Sequence, residues 1–464
     1  MNVSAASSTT FPVQATLARR LGPLDAAAIV VSNVIGGGIF FVPVLVAQMT
    51  PSAAAMLGVW LLGGVLAFAG AMAYAELATL RPHAGGEYVY LREAYGPVAA
   101  FLSGWTSFVA GFSGAIAAGA VALADYLGRF IPAAADRTPW LTLPLPYVPL
   151  IVTPQAIVAI SAIAALSLVH LHGSGRLVHN VLAGLKVTAL VVFIALALSL
   201  GAGDFGNFSS IQAVPVPSAN WLLALIPVMF SYSGWNAAAY VAEEIRDPSR
   251  NVPRALASGT LGVIAIYLAL NVVFLFAMPI QELAGLPDGR LTDLVAERLF
   301  GFVAGNLLGI FTIVSIAASV SAMVLSGPRV YYAMARDGVF LASAARVHPK
   351  YRTPVLAIAA QAVWSSVLVM SATLSQLVAY TGFAIVLFSG VAVLAVFVLR
   401  HRDPGAHRPF KALWYPVAPA VFVLASFLMV LNEIWNRPGP AIGGLAIIAA
   451  GVPLYLLFAK RRRA

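Results

Sequence analysis

Ile35-Gly36-Gly37-Gly38-Ile39-Phe40 lies midway along an apolar run, Leu24 to Met49. A run of about 20 apolar residues is long enough to cross a bilayer core of roughly 30 Å as a helix. Three consecutive glycines lower helix propensity by about 1 kcal/mol each relative to alanine, so the helix is expected to break in its middle. A second interruption, Phe230-Ser231-Tyr232-Ser233-Gly234-Trp235-Asn236, lies midway along Trp221 to Val241. There, serines, a glycine and an asparagine offer the backbone competing hydrogen bonds. For either segment alone, close helix packing by small residues is the better explanation. The pair changes that weighing, because the breaks fall in the first and sixth spans. These are corresponding positions of two five-helix units that must run in opposite directions, the sequence pattern of a transporter's binding site.

The rest of the chain is built for lipid. Of its 464 residues, 61% are hydrophobic and 9% charged, a balance that a soluble domain cannot bury. About twelve apolar runs have spanning length, which gives an all-α integral membrane fold. They are Leu24 to Met49, Ala53 to Leu80, Val98 to Ile131, Pro154 to Leu171, Leu177 to Leu200, Trp221 to Val241, Ala255 to Met278, Phe302 to Met334, Pro354 to Leu374, Leu377 to Leu399, Tyr415 to Leu431 and Ala441 to Phe458. Such a count puts both termini on one side, together with Arg81, Arg92, Arg246, Arg250, Arg254, Arg329, Arg336, Arg400, Arg402, Arg408 and the basic tail Lys460 to Arg463. The other side receives Arg129, Arg137, Arg290, Arg298 and Arg437. By the positive-inside rule both termini are expected in the cytoplasm, in a multi-pass protein of the cell membrane.

Composition excludes several classes. The net charge of +10 is scattered through short loops rather than gathered on one face, so no nucleic acid partner is expected. There is no cysteine, hence no disulfide-linked subunit and no thiolate metal site. The polar start, Met1 to Gln14, has no basic n-region, so no cleaved signal peptide is expected. His170 and His172 stand two apart on a helix end and do not share a face, and Gly173-Ser174-Gly175-Arg176 lacks phosphate-loop spacing. No cofactor or metal is expected.

Lys186 is an isolated charge near the middle of Leu177 to Leu200. At that depth it costs roughly 2.5 to 3.5 kcal/mol on insertion scales, which argues for use rather than accident. At 1.5 Å per residue it lies roughly 15 Å from its cytoplasmic end, while the glycines and Ser233 lie roughly 20 Å from theirs, so all three approach the midplane. Broken helices at that depth leave N–H groups free on one half and C=O groups on the other. Together these suit a zwitterion, which points to a free α-amino acid as substrate.

Several further motifs accompany the breaks. They are Arg81-Pro82-His83-Ala84-Gly85-Gly86-Glu87-Tyr88-Val89-Tyr90, Glu243-Glu244-Ile245-Arg246-Asp247-Pro248 with Asn251-Val252-Pro253-Arg254, and Arg329-Val330-Tyr331-Tyr332-Ala333-Met334-Ala335-Arg336-Asp337-Gly338. With Gly36 to Phe40 and Gly234-Trp235-Asn236, the chain resembles the amino acid/polyamine/organocation transporters from about Gly22 to Arg400. Tyr232 to Asn236 is most similar to the L-type amino acid transporters and their bacterial relatives.

The resemblance implies a five-plus-five inverted repeat in the leucine-transporter arrangement with two further helices. The expected division is a cytoplasmic segment 1–22, repeats 23–201 and 202–400, and a final pair of helices with the tail in 401–464. It implies that the backbone of Ile35, Gly36, Gly37, Gly38 and Ile39 holds the substrate carboxylate, and that carbonyls around Phe230, Ser231 and Ser233 hold its ammonium. Phe230 becomes an aromatic gate and Ser233 a wall of the side-chain pocket. Lys186 matches a lysine that stands in for the sodium ion of coupled relatives, with Ser315 and Ser319 as its contacts on the eighth helix; protons are a possible coupling partner through the same lysine.

Two positions depart from the pattern: Gly37, where a serine or alanine is usual, and Pro328, expected to bend the eighth helix. The implied function is sodium-independent transport of neutral L-amino acids, as an exchanger or a proton-coupled importer. A carrier of cationic amino acids or polyamines is the alternative, and Glu76 its one candidate partner for a second positive charge. A membrane enzyme would need a catalytic constellation, and a channel a continuous polar lining; neither is visible in the sequence. Glu243, Glu244, Arg246, Asp247, Arg329, Arg336 and Asp337 cluster near cytoplasmic helix ends, where they would either close an inner gate or remain solvated.

Overall fold

A computed structural model describes residues 17, 19–145, 149–171, 175–211, 220–286, 290–371, 373–436 and 438–463. Met1 to Gln14, His172 and the Gly173-Ser174 pair lie outside them.

The first span is two helices, α1 (Pro23–Val34) and α2 (Gly38–Met49), bent by 45° at the glycines. α3 (Ala53–Leu80) follows unbroken, its start capped by the Ser52 hydroxyl accepting from the Ala55 N–H. The positive-φ pair Gly85 and Gly86 turns the chain into the short α4 (Glu87–Tyr95). α5 (Pro97–Thr106), a π-helical turn at Ser107–Gly111 and α6 (Phe112–Leu127) make the third span. A small antiparallel pair, β1 (Leu141–Leu143) and β2 (Leu150–Val152), precedes α7 (Pro154–Leu171) and α8 (Gly175–Leu200).

The second half begins with α9 (Asn220–Tyr232) and α10 (Ala237–Tyr240), on either side of the Ser233–Asn236 break. Then come α11 (Pro248–Ala277), the short α12 (Ile280–Ala284) and α13 (Leu291–Phe300). α14 (Phe302–Ser326) and α15 (Pro328–Arg336) run on as one span of 35 residues, with Gly327 in right-handed helical geometry between them, so Pro328 removes a main-chain donor without breaking the span. α16 (Val355–Ser371), α17 (Leu374–Arg402), α18 (Val417–Asn436) and α19 (Pro438–Arg463) complete the chain.

Among the described residues nine helices are long and apolar enough to cross a membrane, ten if α1 and α2 count as one. The two segments short of that length are α9, with 13 residues, and α16, with 17. α11 starts at Pro248 rather than Ala255, because its first two turns are polar and hydropathy alone does not register them.

The third span lies at the centre: 78% of its most apolar window is buried, against 17% for Ala441–Phe458, which therefore presents most of its surface to lipid. Small residues let the central helices close on one another. A Cβ on Gly38 would lie 2.7 Å from Ser231 Oγ, and Gly114 packs directly against Thr381 of α17, so the small residues of the third span serve packing there.

Candidate functional site

The two breaks meet at the middle of the bundle. Ile35 leaves helical geometry at ψ 85°, and the N–H groups of Gly37, Gly38 and Ile39 make no hydrogen bond among the described residues. Opposite them, the Ser233 N–H donates to Phe230 O at 3.0 Å and closes the end of α9. Gly234 adopts φ +100°, and a Cβ there would lie 2.7 Å from Asn33 Cβ, so glycine is required both by its conformation and by the closeness of α1.

Gly36, Gly37, Gly38, Phe230, Ser231 and Ser233 line one cavity of about 30 Å³, together with Ser319 of α14. Ile35 and Ile39 contribute main chain beside it; both side chains are fully buried in the core. The three glycines differ in role. A Cβ on Gly36 would lie 2.5 Å from Ser319 Oγ, whereas one on Gly37 would reach Phe41 only at 3.5 Å. Gly36 is thus a close-packing position, and Gly37 leaves space beside the cavity.

Lys186, on α8, is fully buried, and its ammonium donates to the carbonyls of Ile35 and, at 3.4 Å, Ser32. The carbonyls freed where α1 ends are what a buried ammonium needs, since each retains lone pairs that no helix turn consumes. No hydrogen bond joins Lys186 to Ser315 or Ser319 among the described residues. Among the described residues Ser315 Oγ is buried without a hydrogen-bond partner. Ser319 instead donates to Asn33 O at 3.5 Å, and Asn33 Nδ2 donates to Ser326 Oγ at 3.4 Å, so the ties between the first and eighth spans run through Asn33.

Tyr267 of α11 is a site residue that the sequence reading missed. Its hydroxyl lies 2.6 Å from Val34 O and 3.0 Å from Ser231 O, bridging both broken helices, and its ring is wedged between Trp60 and Tyr232. The available signal was a tyrosine in mid-span of an otherwise apolar helix, whose polar tip has to find a buried partner.

The two ends of the bundle differ. Toward Arg137 and Gln376 a vestibule of about 660 Å³ opens, and Phe41 and Phe230, their rings 6.4 Å apart, line both it and the central cavity. Asp125 projects into this vestibule and accepts from Gln155 at 2.5 Å and from Arg137 at 3.2 Å. The opposite, arginine-rich end is closed. Arg329, with 3% of its side chain exposed, holds Glu244 through two hydrogen bonds of 2.8 and 3.2 Å. Arg336 pairs with Glu243 at 3.5 Å, Arg92 with Asp337, and Arg400 and Arg408 with Glu76. A further strap forms where Leu21 and Arg246 exchange main-chain bonds with Glu244 and Leu21. Glu76 is therefore part of a structural ion cluster, away from the central cavity. Among the described residues no group of three His, Cys, Asp or Glu side chains is placed to hold a metal ion.

A cavity walled by the main chain of two broken helices is a transporter's architecture, and comparison with known proteins gives it a family. Residues 21–458 match the amino acid permease model. The chain belongs to the amino acid permease family. It is a membrane transporter of amino acids within the amino acid/polyamine/organocation superfamily, and not an enzyme. It is 30% identical to the serine/threonine exchanger SteT of Bacillus subtilis over 96% of this chain and 98% of that one. It is 29% identical to the human large neutral amino acids transporter small subunit 2 over 95% of this permease and 80% of the relative. The mouse b(0,+)-type amino acid transporter 1 is 28% identical over 96% and 88%, respectively. The permease is thus related to the L-type transporters along nearly its whole length.

Proposed function

We propose that this permease is a sodium-independent exchanger of neutral L-amino acids, working by alternating access in the cytoplasmic membrane with both termini in the cytoplasm. The observation that carries the reading is the Lys186 ammonium on the carbonyls of Ser32 and Ile35: a fixed cation occupies the break where an ion-coupled carrier would need a mobile one. In this reading residues 23–201 and 202–400 are inverted repeats, flanked by 1–22 and 401–464. The free N–H groups around Gly37 and Gly38 receive the substrate carboxylate, and the carbonyls of Phe230, Ser231 and Ser233, each with a lone pair to spare, receive its ammonium. Phe230 with Phe41 closes the pocket toward the vestibule, and Ser233 bounds the substrate side chain.

Exchange is favoured over proton-coupled import because SteT is named as an exchanger. Neutral substrates are favoured over cationic ones because, among the described residues, no carboxylate lines the central cavity. The test is uptake of labelled L-serine, L-threonine and L-leucine into proteoliposomes preloaded with unlabelled amino acid. Saturable uptake, stimulated from the trans side and unchanged when choline replaces sodium, is the expected result. Strict sodium dependence would overturn the role of Lys186, and non-saturating flux would overturn the carrier itself.

A further inference from the structure

Glu87, the first residue of α4, is a carboxylate with 8% exposure that the transport reading leaves without a task. Tyr74 of α3 donates to its Oε2 at 2.8 Å, and Ser103 of α5 donates to its Oε1 at 3.4 Å. Among the described residues no basic side chain pairs with it: Arg92 of its own helix is engaged by Asp337, and Arg329 of α15 by Glu244. The titratable groups facing it are phenols, namely Tyr74, Tyr90 of its own helix and Tyr240 of α10; α17 contributes Ser389 to the same surroundings and no charge. Lys186, on α8, is a second buried ionisable group at the site, held by main-chain carbonyls and, among the described residues, by no carboxylate.

An ionised carboxylate buried without a cation is costly, and such a group ordinarily takes up a proton instead. Burial pushes the Glu87 carboxyl above the usual carboxylate range, opposed by hydrogen bonds from Tyr74, Tyr240 and Ser103. The position links this chemistry to transport. Glu87 borders a cavity of about 60 Å³ on the arginine-rich side of both breaks, shared with Asn33, Ser233, Gly234 and Tyr240. The loop that carries it rests on α10: the Gly85 N–H donates to Tyr240 O at 3.1 Å, and a Cβ on Gly86 would lie 2.5 Å from the Tyr240 ring. α10 therefore forms one wall of the surroundings of Glu87, beside the cavity they share.

We propose that Glu87 is a proton-binding site of the transport cycle, holding a proton while α10 is seated and releasing it to cytoplasmic water when α10 swings away. The inference rests on the alternating-access reading above. Protonation forms an O–H bond at Oε1 with a proton from water, while Tyr74 keeps donating to Oε2; release returns the proton to water, and no electrons are exchanged. The sign follows from linkage. The seated state binds the proton more tightly than the hydrated one, so acid on the cytoplasmic side favours the closed inner gate. That advantage is lost as pH rises through the raised value of the seated carboxyl. Between the ordinary and the raised value, one pH unit shifts the closed-to-open ratio by at most about tenfold.

Two measurements test this on the full chain. In infrared difference spectra of the purified protein between acid and alkaline pH, one component of the protonated-carboxyl band should be missing from Glu87→Gln and should titrate above the other carboxyls in the unmodified protein; spectra without such a missing component would overturn the proposal. In proteoliposomes exchanging labelled L-serine, flux should rise as cytoplasmic-side pH rises, by up to about tenfold per unit. Glu87→Gln should flatten that profile, and Glu87→Asp should keep it with a displaced midpoint. A wild-type profile in Glu87→Gln would assign the proton to Lys186 and overturn the proposal. Should Glu87→Gln fail to fold, the displaced midpoint in Glu87→Asp decides. Should the unmodified permease not exchange L-serine at all, the transport reading fails while the infrared result still decides Glu87.

Discussion

The ammonium of Lys186 donates to the main-chain carbonyl of Ile35, 151 residues away in sequence. One side chain thus fixes the point at which α1 ends, and it does so from a helix that is otherwise mostly turned outward, with 22% of its most apolar window buried.

Replacing Lys186 with alanine leaves the carbonyls of Ser32 and Ile35 without their donor. Uptake should fall by roughly 10- to 100-fold, the equivalent of one charge-assisted hydrogen bond of about 1.5–3 kcal/mol. Arginine should not restore it, because a planar guanidinium does not fit a site shaped for a point charge. Initial uptake rates of the three proteins at matched expression provide the measurement, and near-normal flux in Lys186→Ala would show that the break holds itself.

The glycines of the first break should respond unequally. In Gly36→Ala the new methyl meets Ser319, an overpacking that costs about 1–3 kcal/mol and should lower both thermal stability and transport. Gly37→Ala meets only ordinary contacts and should stay within about 0.5 kcal/mol of the parent. Thermal unfolding of the two variants side by side is the check, and equal losses would contradict the geometry.

Removing Glu244 leaves Arg329 almost fully buried and unpaired, at a cost of about 3–5 kcal/mol to the closed inner gate. Because the sequence has no cysteine, a single Thr106→Cys on the wall of the inner cavity can report opening. Modification by a water-soluble thiol reagent should be faster in Glu244→Gln than in its parent. An unchanged rate would mean that the other ion pairs hold the gate without this one.

Ser233 lines both the central and the inner cavity. Enlarging it in Ser233→Val should shift competition for uptake from leucine toward serine and alanine, by about 10-fold or more for a lost methylene's worth of space. An unaltered substrate profile would remove Ser233 from the pocket.

Much of this architecture was legible in the sequence because its causes are local. Apolar length marks a span wherever the chain later packs it, and α3 and α7 run over the same residues that hydropathy marks, Ala53–Leu80 and Pro154–Leu171. Three glycines weaken a helix in any surroundings, and a lysine in mid-span demands a partner. The acidic and basic residues near 243–247 and 329–337 left solvation and gating equally open; their pairing depends on α15 and the 242–244 turn meeting, which no local signal encodes.

By itself, then, the sequence determined that this is a bundle of membrane helices with two interruptions and one buried charge near a common depth. Only the tertiary structure decided which groups meet there. Ser315 and Ser319 share a face of α14, yet Ser319 alone reaches Asn33, because the depth and rotation of neighbouring helices select between residues that are equivalent in sequence. The same selection brings Tyr267 to both breaks and seals Glu87 among phenols. Helix rotation and interhelical distance emerge from the summed packing of the whole bundle, so these contacts belong to the folded chain and to no segment of it.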